Sequence, residues 1–223
     1  MEFTQNQGEK PTMDYFAKEL LAKLPTADPF FAAYEAQAVS RTVGFDFDSF
    51  EDVVPRALDE VRETKEAYLE DGNEGREHFG DETADIMFSL VNLARHAGIK
   101  ELPPYEFFEE QLTTIPASEQ SVVEVVDGIA SQINNLAEIA QTAPDRLQEA
   151  TLAVFNDGTL QAIIMAKNEG FDPRSLLIEN VKKYLIRCEA IEQLAAEDKK
   201  SWADLSANNE IVAYWKRAKI LLK

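Results

Sequence analysis

Two pairs of acidic residues are the part of this 223-residue chain whose types and spacing could do chemistry. Glu60 and Glu63 form one pair and Glu82 and Asp85 the other, each about one helical turn apart. Eighteen residues separate Glu63 from Glu82, enough for one helix to end and a second to run back antiparallel. Four converging carboxylates would repel one another unless a cation neutralised them, and hard divalent cations such as Mg²⁺ prefer carboxylate oxygens. The predicted chemistry is metal-assisted attack on a phosphate.

The helix predicted to hold the second pair, from about Glu77 to Ala97, makes that pair the stronger signal. This helix is apolar around most of its circumference and should therefore be buried. One polar line nevertheless runs along it, at alternating steps of three and four residues: His78, Glu82, Asp85, Ser89, Asn92 and His96. A polar line on a buried helix needs a partner, which a metal or a ligand would supply, so Asn92 is a candidate substrate-binding residue. By contrast, a Glu-x-x-Glu pair alone is most often a solvated surface.

Composition and charge limit the classes of function. The chain has 22 Lys and Arg against 41 Asp and Glu, a formal charge of -19, which opposes binding to the backbone of a nucleic acid. It has no long apolar run, and its first seven residues show no secretory signal, so we expect a cytoplasmic protein without a membrane-spanning segment. The single cysteine, Cys188, leaves no internal disulfide and no cysteine-rich zinc site.

Helical periodicity dominates the chain, and alternating runs typical of strands are scarce, so the predicted fold class is all-α. Pro103, Pro104 and Pro116 mark the segment from Lys100 to Ser118 as a linker. Gly and Asp residues at 71–75 predict a turn between the two acidic helices. The predicted helices are 13–24, 29–41, 50–70, 77–97, 122–142, 144–169, 176–197 and 208–222.

Basic and aromatic residues near the C-terminal end are candidate substrate contacts. Lys183 and Arg187 share one face of a predicted helix and could hold phosphate oxygens. The alternative is simple surface pairing with Glu179 or Glu189. Trp215 could stack on a nucleobase, although a lone Trp on an amphipathic helix is more often a core residue.

An internal repeat is a further hypothesis. An offset of 72 residues superposes like residues at several positions: Val53 on Val125, Asp85 on Asp157 and Gly98 on Gly170. At the other three acids the residue type changes: Glu60 falls on Gln132, Glu63 on Asn135 and Glu82 on Val154. The second copy would then have kept the scaffold and lost the ligands. The alternative is that any two helical hairpins align passably.

The segments around the acids resemble the MazG family of all-α nucleoside triphosphate pyrophosphohydrolases. The similarity runs through Val43 to Phe47, Val53 to Glu63, Glu82 to Phe88 and Val91 to His96. Lys183 to Glu192 is similar to the family's Lys-Phe-x-x-Arg segment, and Tyr214 to Lys219 to its Trp-containing helix. The resemblance implies that the four acids bind Mg²⁺, or alternatively Mn²⁺. It implies that phosphates contact Arg56, Lys183 and Arg187, and that Trp215 approaches the base.

The main departure from the family is about 80 residues, from Lys100 to Arg174, between the parts that match. Typical members build their antiparallel four-helix core by pairing two subunits, whereas here an inserted hairpin within residues 100–174 could supply the second pair of helices. We therefore expect one domain over residues 1–223, either as a pseudo-dimeric monomer with one metal site or as a homodimer.

The resemblance implies Mg²⁺-dependent hydrolysis of a (deoxy)nucleoside triphosphate to a monophosphate and pyrophosphate, a reaction suited to removing unwanted nucleotides. Glu63 is the first candidate for the general base. Two alternatives stay open: a noncatalytic nucleotide- or metal-binding regulatory module, and a related pyrophosphatase specific for dUTP, dCTP or phosphoribosyl-ATP. The base and sugar preference depends on pocket shape, which spacing alone does not give.

Overall fold

A computed structural model of the chain describes residues 13–42, 49–70, 72–114, 120–200, 205 and 210–221. The first seven residues, the motif from Val43 to Phe47 and the predicted turn residue Asp71 lie outside these ranges. All regular structure within them is helical: α1 (Met13–Lys23), α2 (Pro29–Thr42), α3 (Phe50–Leu69), α4 (Gly72–His96), α5 (Tyr105–Leu112), α6 (Val122–Thr142), a short 3₁₀ turn (Pro144–Arg146), α7 (Leu147–Asn168), α8 (Pro173–Glu197) and α9 (Ile211–Leu221). The all-α prediction is confirmed. None of the described helices is long and apolar enough to cross a membrane.

Two helical hairpins, α3–α4 and α6–α7, form the centre of the molecule. Helix α3 contacts α4 and α6, and α7 contacts the same two helices, so the four helices close a ring of contacts. Helix α8 packs on α4 and α2, and α9 packs on α8. The position of α8 brings the second half of the chain against the helix that holds Glu82 and Asp85.

Local sequence explains where the two hairpins begin and end. Ser49 and Ser121 each start a helix through a capping box, with Asp52 and Glu124 as the respective partners. At the other end, Gly98 and Gly170 both have φ +82°, the left-handed conformation that closes a helix. Each glycine donates its amide to the carbonyl three residues back, at 3.0 Å in both cases.

These paired features recur at the offset of 72 residues that the sequence suggested. The helices begin at Phe50 and Val122, and the second helices of the hairpins end at His96 and Asn168. Burial follows the same register at four apolar positions of α3 and α6: Val53 with Val125, Val54 with Val126, Ala57 with Ile129 and Val61 with Ile133. The correspondence therefore includes helix bounds, caps and core-facing positions.

The predicted linker between the hairpins is partly wrong. Residues 105–112 form α5 because Tyr105 and Phe108 are buried among aromatic rings. The ring centroid of Phe30 lies 5.8 Å from that of Tyr105 and 5.3 Å from that of Phe108. Pro104 precedes the helix as its N-cap residue, where it interrupts no hydrogen bond.

The predicted turn at residues 71–75 is also wrong over residues 72–75, since α4 begins at Gly72. Gly75 is buried, and a Cβ added there would lie 2.6 Å from the carbonyl oxygen of Glu70. Glycine at this position permits close approach of the two helix ends. Helix α8 likewise begins earlier than predicted, at Pro173, where a proline suits the first turn and Asp172 caps it.

Candidate metal centre

Three glutamates from the two helices of the first hairpin converge. Glu60 and Glu63 lie one turn apart on α3, and Glu82 lies on the facing side of α4. One carboxylate oxygen from each residue lies within 4.8 Å of the other two. The buried neighbours Val61 and Thr64 fix the rotation of α3, so that the two acids flank the buried seam. This group of three glutamates is referred to below as the acidic cluster.

The acidic cluster is partly removed from water, and its members differ in exposure. The side chains of Glu82 and Glu60 are 12% and 16% exposed, whereas that of Glu63 is 44% exposed. Burial and the neighbouring charges, Asp85 first among them, raise the pKa of Glu60 to about 8 and that of Glu82 to about 7. Without a cation, the cluster therefore holds protons that ordinary glutamates would release at neutral pH.

Glu82 has one satisfied and one unsatisfied oxygen. Its Oε1 lies 3.1 Å from Nε2 of His78, whose other ring nitrogen lies 3.1 Å from Glu70. Its Oε2 is buried and has no hydrogen-bond partner among the described residues. An orphaned carboxylate oxygen beside two other carboxylates is a position that a cation would fill.

Asp85, the fourth predicted ligand, is close enough to raise the pKa of Glu60 and Glu82, but it is not part of the three-oxygen group. Its Oδ1 accepts a hydrogen bond from Nδ2 of Asn180 on α8, at 2.5 Å. Asp85 is thus held between the acidic cluster and α8.

Two of the predicted basic residues lie beside acids of this region. The guanidinium of Arg56 lies 3.4 Å from the Glu60 carboxylate, where it offsets part of the rise in the pKa of Glu60. The ammonium of Lys183 lies 2.6 Å from the carboxylate of Asp81, the residue before Glu82. Lys183 therefore lies next to the acidic helix, in an ion pair that is about half exposed to solvent.

The other predicted substrate contacts lie on α8 and α9. The guanidinium of Arg187 lies 5.5 Å from the ring centroid of Trp215. Trp215 also contacts Tyr184, and Tyr184 in turn contacts Phe88 of α4 with 4.9 Å between ring centroids. These rings form a row of aromatic side chains that leads from α4 to α9.

Asn92 lies farther along α4. It is seven residues beyond Asp85, about 10 Å along the helix axis, and its Oδ1 accepts a hydrogen bond from Arg95 at 3.3 Å. Sequence reasoning placed His78 on the polar line without giving it a role, and it missed Asn180; the structure shows that both residues contact the acids. His78 is four residues before Glu82, and Asn180 is three before Lys183, so helical spacing contained a signal for each.

Comparison with known protein families, with curated proteins and with solved structures found no match for this chain. The site must therefore be interpreted from its own chemistry.

The donor set fits a hard divalent cation. Three carboxylates converge with oxygens within 4.8 Å, and one oxygen of Glu82 is buried without a partner in the described part of the chain. The described residues thus define an all-helical protein with a carboxylate-lined candidate metal centre on the α3–α4 hairpin.

Proposed function

We propose that this protein hydrolyses nucleoside triphosphates in a divalent-cation-dependent reaction that gives a nucleoside monophosphate and pyrophosphate. The observation that carries the proposal is the acidic cluster. Burial and mutual repulsion raise the pKa of Glu60 and Glu82, and a bound divalent cation would stabilise their ionised forms. The resemblance of the surrounding segments to the MazG family adds the reaction type.

Glu60, Glu63, Glu82 and Asp85 would hold the cation, with Mg²⁺ or Mn²⁺ as the candidates. When bound, the ion would neutralise the acids and polarise the phosphate oxygens of the substrate. Asp85 would join the set from its position beside Glu60 and Glu82.

Glu63 is the candidate general base because its side chain is the most exposed of the three glutamates and can reach water. In the proposed step, water attacks the α-phosphorus and gives a proton to Glu63. The bond from that phosphorus to the oxygen bridging the α and β phosphates breaks, and pyrophosphate leaves with the bridging oxygen.

Cationic side chains would hold the phosphates against the strongly negative chain. Lys183 lies beside the acidic helix and, to serve this role, would exchange Asp81 for a phosphate. Arg56 is half exposed and lies at the edge of the cluster. Arg187 lies one turn beyond Lys183 on α8, against the ring of Trp215 on α9, and these two residues would bind the distal part of the nucleotide.

The finer fold assignment is also a proposal: an antiparallel four-helix core in which α6–α7 takes the place that a second subunit fills in MazG-like dimers. The closed ring of contacts among the four helices and the recurrence of caps and buried positions support it. One cation site per chain follows, because the second hairpin has Gln132, Asn135 and Val154 where the first has glutamates.

The direct test is release of pyrophosphate from purified protein given Mg²⁺ and a panel of canonical and modified triphosphates, including dUTP, dCTP and phosphoribosyl-ATP. We expect Mg²⁺-dependent release that Glu82→Gln abolishes while the helical circular dichroism is retained. Nucleotides that raise the melting temperature without being cleaved would favour a noncatalytic binding module instead. Cleavage at an undiminished rate in Glu82→Gln would refute the assignment of the site.

A further inference from the structure

We propose that Asn180 is a positioning residue that fixes Asp85 for cation binding and so couples α8 to the metal centre. The inference rests on the proposed function of the acidic cluster. Nδ2 of Asn180 donates to Oδ1 of Asp85 at 2.5 Å, and both side chains are partly buried between α8 and α4. A hydrogen bond to one oxygen of a carboxylate sets the direction in which the other oxygen points.

Helix α8 holds Asn180 in place from several sides. Leu177 and Val181, on either side of it in sequence, are fully buried. One turn later Lys183 pairs with Asp81, and Tyr184 contacts Phe88. The amide of Asn180 is therefore a fixed donor at Asp85.

An amide is also the appropriate chemical group at this position. It donates a hydrogen bond without adding charge to a group of acids that already repel one another. An ammonium or guanidinium in the same place would compete with the cation, and a further carboxylate would add to the repulsion. Asn180 can thus orient Asp85 without neutralising the negative charge that would bind the ion.

The second hairpin supplies an internal comparison. Asp157, the counterpart of Asp85, also accepts hydrogen bonds from amides, but these come from Gln132 and Gln161 of its own hairpin. Gln132 occupies the counterpart position of Glu60. In the first hairpin the amide comes instead from α8, so the Glu60 position stays available as a cation ligand.

The test is the affinity of the full-length protein for Mn²⁺, measured by electron paramagnetic resonance of the free ion and by calorimetry. Asn180→Leu keeps the branched shape of the side chain and removes the donor, and Asn180→Ala serves as a second variant that favours the helix. We expect a 10- to 100-fold weaker Mn²⁺ affinity in each, with circular dichroism unchanged. The matched control is Gln193→Leu, which removes an amide that donates to Glu189 of the same helix, and its affinity should stay within twofold of wild type.

A double-variant measurement separates positioning from general damage. If Asn180 acts through Asp85, then Asn180→Leu added to Asp85→Asn should weaken Mn²⁺ binding no further. Wild-type affinity in Asn180→Leu and Asn180→Ala, or an equal loss in the Asp85→Asn background, would overturn the inference. Mn²⁺ binding that depends on Asn180 in a protein that releases no pyrophosphate would refute the proposed function and leave this inference standing.

Discussion

The α3–α4 and α6–α7 hairpins share a scaffold and differ in their polar residues. Both start at a serine capping box, both end at a glycine with φ +82°, and the buried positions of α3 and α6 have the same register. In the first hairpin three glutamates converge, whereas at the corresponding positions of the second one acid remains, Asp157, which accepts hydrogen bonds from Gln132 and Gln161.

This difference separates what a hairpin needs to fold from what it needs to bind a cation. In the second hairpin the counterpart carboxylate, Asp157, accepts hydrogen bonds from two amides of the same hairpin. In the first hairpin the buried Oε2 of Glu82 has no hydrogen-bond partner among the described residues, and burial and neighbouring acids raise the pKa of Glu60 and Glu82. Among the described carboxylates, the two whose pKa is raised therefore lie in the hairpin proposed to bind the ion.

The largest expected effect is the difference between two matched substitutions, Asp85→Asn in the first hairpin and Asp157→Asn at the equivalent position of the second. Asp85→Asn should lower Mg²⁺-dependent pyrophosphate release by about 100-fold or more, because it removes a charged ligand beside Glu60 and Glu82. Asp157→Asn is the matched control, and its turnover should be unchanged, because Asp157 accepts hydrogen bonds from Gln132 and Gln161 of its own hairpin. The measurement is steady-state turnover with a pyrophosphate-coupled assay.

Equal losses in the two variants would break the distinction between the hairpins. A loss in Asp157→Asn alone would move the reactive centre to the second hairpin.

The second prediction concerns the pH dependence of stability without divalent cations. Folding raises the pKa of Glu60 from 4.5 to about 8 and that of Glu82 from 4.5 to about 7, so the folded chain binds these protons more tightly than the unfolded chain. The free energy of unfolding should therefore fall by several kcal/mol as pH rises from about 4.5 to 8. Urea denaturation in EDTA across this range measures it.

Glu60→Gln introduces the residue type that the second hairpin has at the equivalent position, Gln132. Because glutamine does not titrate, the free energy of unfolding of this variant should depend less on pH. The same slope in wild type and Glu60→Gln would contradict the assignment of the proton uptake to Glu60.

The third prediction uses the two closing glycines. Gly98→Ala and Gly170→Ala should each lower the free energy of unfolding by about 1 to 2 kcal/mol, because an L residue is strained at φ +82°. The nearest atoms to an added Cβ are the mobile ends of Gln148 and Arg76, so sterics should add little in either case. Denaturation midpoints of the two variants should agree closely, and a cost for only one of them would show that the hairpins do not end alike.

Sequence periodicity predicted the helices and the convergence of Glu60, Glu63 and Glu82, because these features follow from short-range spacing. It did not predict α5, whose register depends on Phe30, a residue distant in sequence that packs on Tyr105 and Phe108. It also did not predict the hydrogen bond from Asn180 to Asp85, which joins residues 95 positions apart. Contacts of this kind depend on how α8 packs across α4, and helical spacing alone contains no information on that packing.

The smallest expected effect comes from the two capping boxes. It tests whether equivalent caps contribute equally to the stability of the two hairpins. Ser49→Ala and Ser121→Ala each remove a hydroxyl that accepts a hydrogen bond, at 3.3 Å, from the backbone amide three residues later. Each should cost about 1 kcal/mol of stability, with no change in Mn²⁺ affinity, because both caps lie at the outer ends of their helices. The two costs should also add in the double variant, since the serines share no contact partner. Chemical denaturation measures the two losses of free energy of unfolding. A much larger loss for Ser121→Ala would mean that the second hairpin contributes more to the stability of the fold than the first.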